Sequence, residues 1–274
     1  MRRPGASSLL LHAALVATSL ISLTPLGWMA AAAFMQPGEA NALPPHLLPH
    51  DPTLQNFVAL FTRLDMARAF LNSAVITVLA TVLSVFVNAM AGYAFAKLPF
   101  PGRDRLFKRL ASALVVPAQV GMLPLFLLLR ELGLVNTYAG VLVPYMASIF
   151  GIFLVRQYAL GVSDDLLDAA RVDGAGEFRI FAVIVLPVIR PILATLAAFT
   201  FLSAWNDFMW PLIVLSDGHM ATLPVALASL VGEHVQDTEL MMAGSMLTIL
   251  PALVVFLIFQ RFFVRGITAG SVKG

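Results

Sequence analysis

The sequence predicts an all-α integral membrane protein of six transmembrane helices. Three observations predict it. Of the 274 residues 59% are hydrophobic and only 12% charged, the mean hydropathy is +0.89, and six long runs contain no Lys, Arg, Asp or Glu. Soluble domains carry roughly 25% charged residues. About 20 apolar residues cross the hydrocarbon core, so a chain of this length houses one membrane domain with no room for a substantial soluble one. No internal repeat or flexible linker divides it. The absence of cysteine excludes disulfides, thiolate metal sites and a cysteine nucleophile. A net charge of +2 is too small to suggest a nucleic-acid partner.

The spans are expected at about 9–35, 70–96, 109–130, 138–158, 183–208 and 240–262. The first follows Met1-Arg2-Arg3, a start shared with secretory signal peptides. A signal core extends only about 7–15 residues, whereas apolar character here persists from about Leu9 to Met35, interrupted by Thr24-Pro25, so an uncleaved helix is expected. The segment Gln36 to Asp65 then has six prolines or glycines in its first seventeen residues and reads as an irregular loop. Pro117, Pro124 and Pro144 lie inside spans three and four, where they either kink helices around a cavity or adjust packing. The fifth uncharged run, Pro191 to Asn206, is short. Its helix is therefore extended back to Val183, with Arg190 snorkelling to the inner interface.

Six spans place both termini on one side. That side carries fourteen Lys and Arg residues: Arg2, Arg3, Lys97, Arg103, Arg105, Lys108, Arg109, Arg156, Arg171, Arg179, Arg190, Arg261, Arg265 and Lys273. The other has three, Arg63, Arg68 and Arg130. The positive-inside rule then puts the termini and the 160–182 loop in the cytoplasm.

That loop is the most informative stretch of the chain. Ser163 before Asp164 and Asp165 reads as an N-cap with acids in the first turn, so a helix should start there. It runs through Leu166, Leu167, Ala169 and Ala170 and stops near Gly174, after which a second helix begins around Glu177 and enters the membrane. Leu166 and Ala170, four apart, give a low apolar stripe. Periodicity fits equally a helix seated in a partner's cleft and a helix lying on the bilayer.

The same residues carry a family resemblance. Asp168-Ala169-Ala170, three residues, Gly174, nine residues, Ile184, one residue and Leu186-Pro187 resemble the signature loop of membrane subunits of bacterial ATP-binding-cassette importers. Asp173-Gly174-Ala175, Phe181 and Pro191 resemble its carbohydrate-uptake branch. Asp168 stands where that family usually has Glu, one methylene longer. Asn72-Ser73, Ala91-Gly92-Tyr93-Ala94-Phe95-Ala96, Phe100-Pro101-Gly102-Arg103, the segment Trp205-Asn206-Asp207-Phe208-Met209-Trp210-Pro211 and the ending from Phe263 to Gly274 are also similar. The ending resembles the shorter permease of maltose-type systems.

The resemblance implies a type I importer permease fold with a cytoplasmic coupling helix, in the bacterial inner membrane. It implies as partners two ATPase subunits, a second homologous permease and an extracytoplasmic solute-binding protein, besides the bilayer. Asp168, Ala169, Ala170, Asp173, Gly174, Ala175, Phe181, Leu186 and Pro187 are expected to couple to the ATPases. The tail Gly270, Ser271, Val272 and Lys273 is expected to contact them. Lys97, Lys108 and Lys273 follow Ala, Phe and Val, so no phosphate loop exists and the chain should bind no cofactor; ATP and Mg belong to the partners. No catalytic residue or metal site is expected, and the five histidines lack ligand spacing.

The substrate class implied is a sugar, of di- or oligosaccharide size. Glycerol phosphate or a glycerophosphodiester suits the same architecture. Asn88, Gln119 and Asn206 are the candidates for the translocation pathway, because neutral sugars are held by hydrogen bonds to their hydroxyls and by aromatic stacking. Asn and Gln in spans also bond neighbouring helices, an equally good use of them. An ion-coupled secondary transporter would show buried ionisable residues or paired broken spans. A membrane enzyme would show a clustered nucleophile or acid/base pair. The nearly charge-free spans show neither.

Overall fold

The computed structural model describes residues 6–44, 46–63, 65–233 and 237–269, whose regular structure is helical throughout. The tail Gly270 to Lys273 lies outside the described residues. In order the helices are α1 (Ala6–Ala33), α2 (Gln55–Arg63), α3 (Met66–Lys97), α4 (Arg103–Ser112), α5 (Ala118–Glu131), α6 (Tyr138–Met146) and α7 (Ile149–Ala159). After the loop come α8 (Asp164–Val172), α9 (Glu177–Ile180), α10 (Leu186–Trp205), α11 (Met209–Val214), α12 (Leu223–Glu233) and α13 (Thr238–Ala269). Five stretches are long and apolar enough to cross a membrane, or six if the bent pair α4–α5 is one span.

That pair departs from the single helix expected over 109–130. A short 3-10 turn continues α4 to Val115, and α5 then leaves at 109°. Pro117 is the cause: it has no N–H to extend the ladder, and its ring drives Val116 out of the helical region to φ −81°, ψ 121°. Pro124, by contrast, sits inside an unbroken α5. The fourth span is also interrupted, at Ala147, and resumes because the Ser148 side chain accepts the Gly151 N–H as an N-cap. Its Pro144 cannot donate to the carbonyl of Gly140, and that oxygen instead accepts Trp210 Nε1 at 3.3 Å.

The fifth span begins at Glu177 rather than Val183 and ends at Trp205, with Asn206 already outside the helix. Between α9 and α10 the ladder widens to a π turn over Phe181–Val185. It lies just before Pro187, whose missing N–H leaves the Val183 carbonyl without an α-helical partner. The Leu-Pro pair thus marks a change of helix type.

The chain divides into two compact units, one of residues up to Ala67 with Ala226–Pro251, the other of Arg68–Val225 with the residues from Ala252 onward. In the first, the segment after α1 is tied down residue by residue. Asn56 Nδ2 donates to the carbonyls of Ala33 and Met35, satisfying the end of α1, and Thr53 N–H donates to Phe34. Ala40 N–H donates to Glu239 Oε1 in the first turn of α13. Glu39 accepts the N–H of Gln36 and both the N–H and Nδ1 of His50.

The His50 N–H is the largest of the effects that lower the Glu39 carboxyl from 4.5 to about 2. A depressed carboxylate stabilises the loop above its unfolded value near 4.5, and the contribution is lost as pH falls through about 2. A 13C titration of labelled Glu39 should therefore show a midpoint near 2. An ordinary midpoint above 4 contradicts the hydrogen-bonded loop.

In the second unit the largest core cluster joins α3, α7, α8 and the α9–α10 run through Tyr93, Val155, Leu167, Ile180, Phe181 and Ile189. A Cβ placed on Gly92 of α3 would lie 2.6 Å from Val155 Cβ, so glycine there permits the close approach of α3 and α7. At the opposite end, Asn72 Nδ2 donates to the carbonyls of His219 and Ala221 while its Oδ1 accepts the Tyr138 hydroxyl, and Ser73 Oγ accepts Leu223 N–H. Asn72-Ser73 thus fastens the 216–223 loop.

Candidate functional site

The loop expected to dock a partner folds as a helix, a glycine turn and a second short helix. Ser163 sits at the N-cap of α8 in extended conformation, but its side chain makes no capping bond. A lysine from another helix instead ties down the residues that lead into α8, by donating to their oxygens. Lys97, the last residue of α3, donates from Nζ to the carbonyls of Leu160 and Val162 at 3.3 and 2.6 Å and to Asp164 Oδ1 at 2.7 Å. Its side chain is 5% exposed and that of Asp164 75%. The Lys97 hydrogen bond, and its charge after it, hold the Asp164 carboxyl below the usual range.

The far end of α8 closes with two reciprocal backbone bonds. Gly174 N–H donates to Arg171 O at 3.0 Å and Ala175 N–H to Ala170 O at 2.9 Å. This is a Schellman turn, and it requires the left-handed conformation that Gly174 adopts at φ +82°. The Ala170 and Ala175 methyls both pack on the core cluster, the apolar contact that usually accompanies the motif. Small residues at 170 and 175 are therefore explained by packing under the turn.

Across the turn runs a chain of charged bonds. Arg171 NH1 donates to Asp168 Oδ1 at 2.6 Å and Arg171 Nε to Glu177 Oε1 at 2.7 Å. The Tyr93 hydroxyl of α3 donates to Glu177 Oε2 at 2.7 Å, and its ring lies 5.4 Å from that of Phe181. The Glu177 bond, then the Asp168 bond, raise the Arg171 guanidinium above its ordinary pKa.

The nine expected coupling residues do not form one surface. Asp168, Ala169, Asp173, Gly174 and Pro187 are exposed, whereas Phe181 is buried and Ala170, Ala175 and Leu186 pack against the core. The apolar stripe expected from Leu166 and Ala170 is corrected. Ala170 turns inward beside Leu167, which is 1% exposed, and the outward stripe is Leu166, Ala169 and Val172 at three-residue spacing. Asp168, one methylene shorter than Glu, is engaged by Arg171 on its own helix. The bonds that Lys97, Tyr93 and Glu177 make in this site were not legible in the sequence. Their only sequence signals are a charge ending a span, a tyrosine one turn before it and an acid opening the next helix.

The pathway candidates separate as well. Asn88 is fully buried; its Nδ2 donates to Ser84 O and Oγ, and its Oδ1 accepts Ser148 N–H at the α6–α7 break. Its amide is thus given to helix packing. Gln119 is exposed in the first turn of α5 after the bend, and Asn206 is exposed at the end of α10, donating to Leu202 O. Asp207 accepts the Tyr145 hydroxyl and the Trp210 N–H, which fixes α11 against α6. No cluster of three or more His, Asp or Glu residues suited to a metal ion occurs among the described residues.

Residues 88–269 match the family model described as binding-protein-dependent transport system inner membrane component. The chain belongs to this family. It is a multi-pass inner-membrane component, and the matched range includes α7, the loop and the α9–α10 run. It is 42% identical over 227 residues to the arabinooligosaccharides transport system permease protein AraQ of Halalkalibacterium halodurans, covering 82% of this chain and 81% of that protein. It is 33% identical over 264 residues to the sn-glycerol-3-phosphate transport system permease protein UgpE of Yersinia pestis, covering 93% and 94%. Its fold superposes, with a TM-score of 0.85 and 23% identity, on a chain of a bacterial ABC transporter involved in the import of the acidic polysaccharide alginate, covering 96% of this chain and 100% of that one. The fold is that of an ABC importer membrane chain.

Proposed function

We propose that this permease subunit translocates a di- or oligosaccharide in an ATP-driven importer, with both termini and α8 in the cytoplasm. The single observation that carries the reading is α8 itself. It is a nine-residue helix, anchored by buried Leu167, that presents Leu166, Ala169 and Val172 outward. Such a face suits a cleft on a cytoplasmic ATPase. The family's dependence on a binding protein supplies the third kind of partner, and a second homologous permease completes the pathway. ATP closure would act through its differential affinity for one orientation of α8.

The sugar class follows AraQ, at higher identity than UgpE. Gln119 and Asn206, which are exposed, are the proposed pathway contacts, while Asn88 is kept for packing. The tail Gly270 to Lys273 is proposed to reach the ATPases. Co-expression with the neighbouring importer components tests the reading. The chain should co-purify with an ATPase, and the complex in proteoliposomes should take up an oligosaccharide held by its binding protein only when ATP is supplied. Retention of glycerol phosphate, and no sugar, by that binding protein would move the substrate to the other class.

A further inference from the structure

We infer that α3 is the helix moved by α8, and that Lys97 and Glu177 are the positioning residues that fasten the two together; this rests on the coupling role proposed for α8. Tyr93 and Lys97 lie four residues apart on α3 and so share one face. From that face Lys97 grips the entry to α8, through Leu160 O, Val162 O and Asp164, and Tyr93 grips its exit, through Glu177 and Arg171. Two attachments at opposite ends leave α8 no pivot about either one.

The two grips are built differently. At the entry, an ammonium whose side chain is 5% exposed is matched by three oxygens, the arrangement that makes burial of a charge tolerable. At the exit, Glu177 divides its oxygens between the Tyr93 hydroxyl and Arg171 Nε, each at 2.7 Å, and Arg171 holds Asp168 with a second nitrogen. Because Glu177 lies beyond Gly174, its bond to Arg171 spans the glycine turn and sets the angle of α8 to α9. Toward α7, α8 makes apolar contact through Leu167, whereas the Glu177 carboxylate of α9 joins it to α3 by accepting from both Arg171 and Tyr93. Apolar contact is non-directional, whereas charge-assisted hydrogen bonds fix distance and direction. A displacement of α8 is therefore delivered to α3 with its direction intact.

The test uses the assembled complex in proteoliposomes and reads ATP hydrolysed per solute imported. Tyr93→Phe removes one hydroxyl and leaves the ring on Phe181; Glu177→Gln keeps the shape but can no longer accept from both partners. Each should raise the ratio by about threefold or more without impairing assembly, given the strength of charged hydrogen bonds. The double variant should be no worse than the worse single, because both cut one path. Lys97→Met should raise the ratio and Lys97→Arg should restore it. Wild-type ratios in assembled Tyr93→Phe and Glu177→Gln complexes overturn the inference. If no ATPase joins the wild-type chain, the coupling role fails instead. The clasp is then read in the purified chain, where Glu177→Gln should speed hydrogen exchange of amides 164–173 by about tenfold; unchanged exchange overturns it.

Discussion

Replacing Gly174 with valine should abolish ATP-driven uptake, whereas asparagine at the same position should preserve most of it. The reason is backbone conformation, not space. A Cβ at Gly174 meets nothing within 4 Å, but φ is +82°. A residue with a Cβ pays roughly 1–2 kcal/mol to hold a left-handed conformation, and a β-branched one more, while asparagine visits that region readily. Valine therefore reopens the Schellman turn. The Ala170 and Arg171 carbonyls lose the N–H groups of Ala175 and Gly174, and the Arg171–Glu177 bond loses its geometry. Uptake should fall in the order asparagine, alanine, valine, by more than about tenfold at the end of the series. ATPase co-purification measured beside uptake separates lost docking from lost coupling. A valine variant that transports normally contradicts the role given to the turn.

The second large effect distinguishes neighbouring leucines. Leu167→Ala should cost about 2–5 kcal/mol, because a fully buried side chain at the meeting of α3, α7 and α9 leaves a cavity. Leu166→Ala should change stability by less than about 0.5 kcal/mol, since Leu166 is 49% exposed, yet it should weaken ATPase association. Thermal unfolding in detergent reads the first difference and co-purification the second. The opposite assignment, with Leu166 destabilising and Leu167 neutral, would reverse the orientation of α8.

Much of this was legible in the sequence because it rests on local rules. Long uncharged runs mark the spans, acids after Ser163 mark the start of α8, and Gly174 marks its end. The motif spacing led to the family before any contact was known. What was not legible depends on which helices meet. Nothing in the order of residues says that Lys97 would donate to the Val162 carbonyl, or that Tyr93 would share Glu177 with Arg171. The stripe was misread at one position for the same reason: Leu166 and Ala170 do lie near each other on a helix, but the core takes Ala170 and Leu167 together. Asn88 looked like a polar group for substrate until the break at Ala147 left a Ser148 N–H in need of an acceptor. Pro117 left a kink and a packing adjustment equally open in the sequence, and the 109° bend could not be read there, because proline dictates that the ladder stops and not where the next helix goes.

The chain has no cysteine, so a single introduced one reports without background. Ala169→Cys, on the outward face of α8, is the most direct probe of the central claim. In inverted membrane vesicles containing the assembled importer it should crosslink to a cysteine in the cleft of the ATPase, with ATP-driven uptake blocked by the crosslink and recovered on reduction. Absence of any crosslink, together with solute transport by the purified chain alone under an ion gradient, would contradict the account.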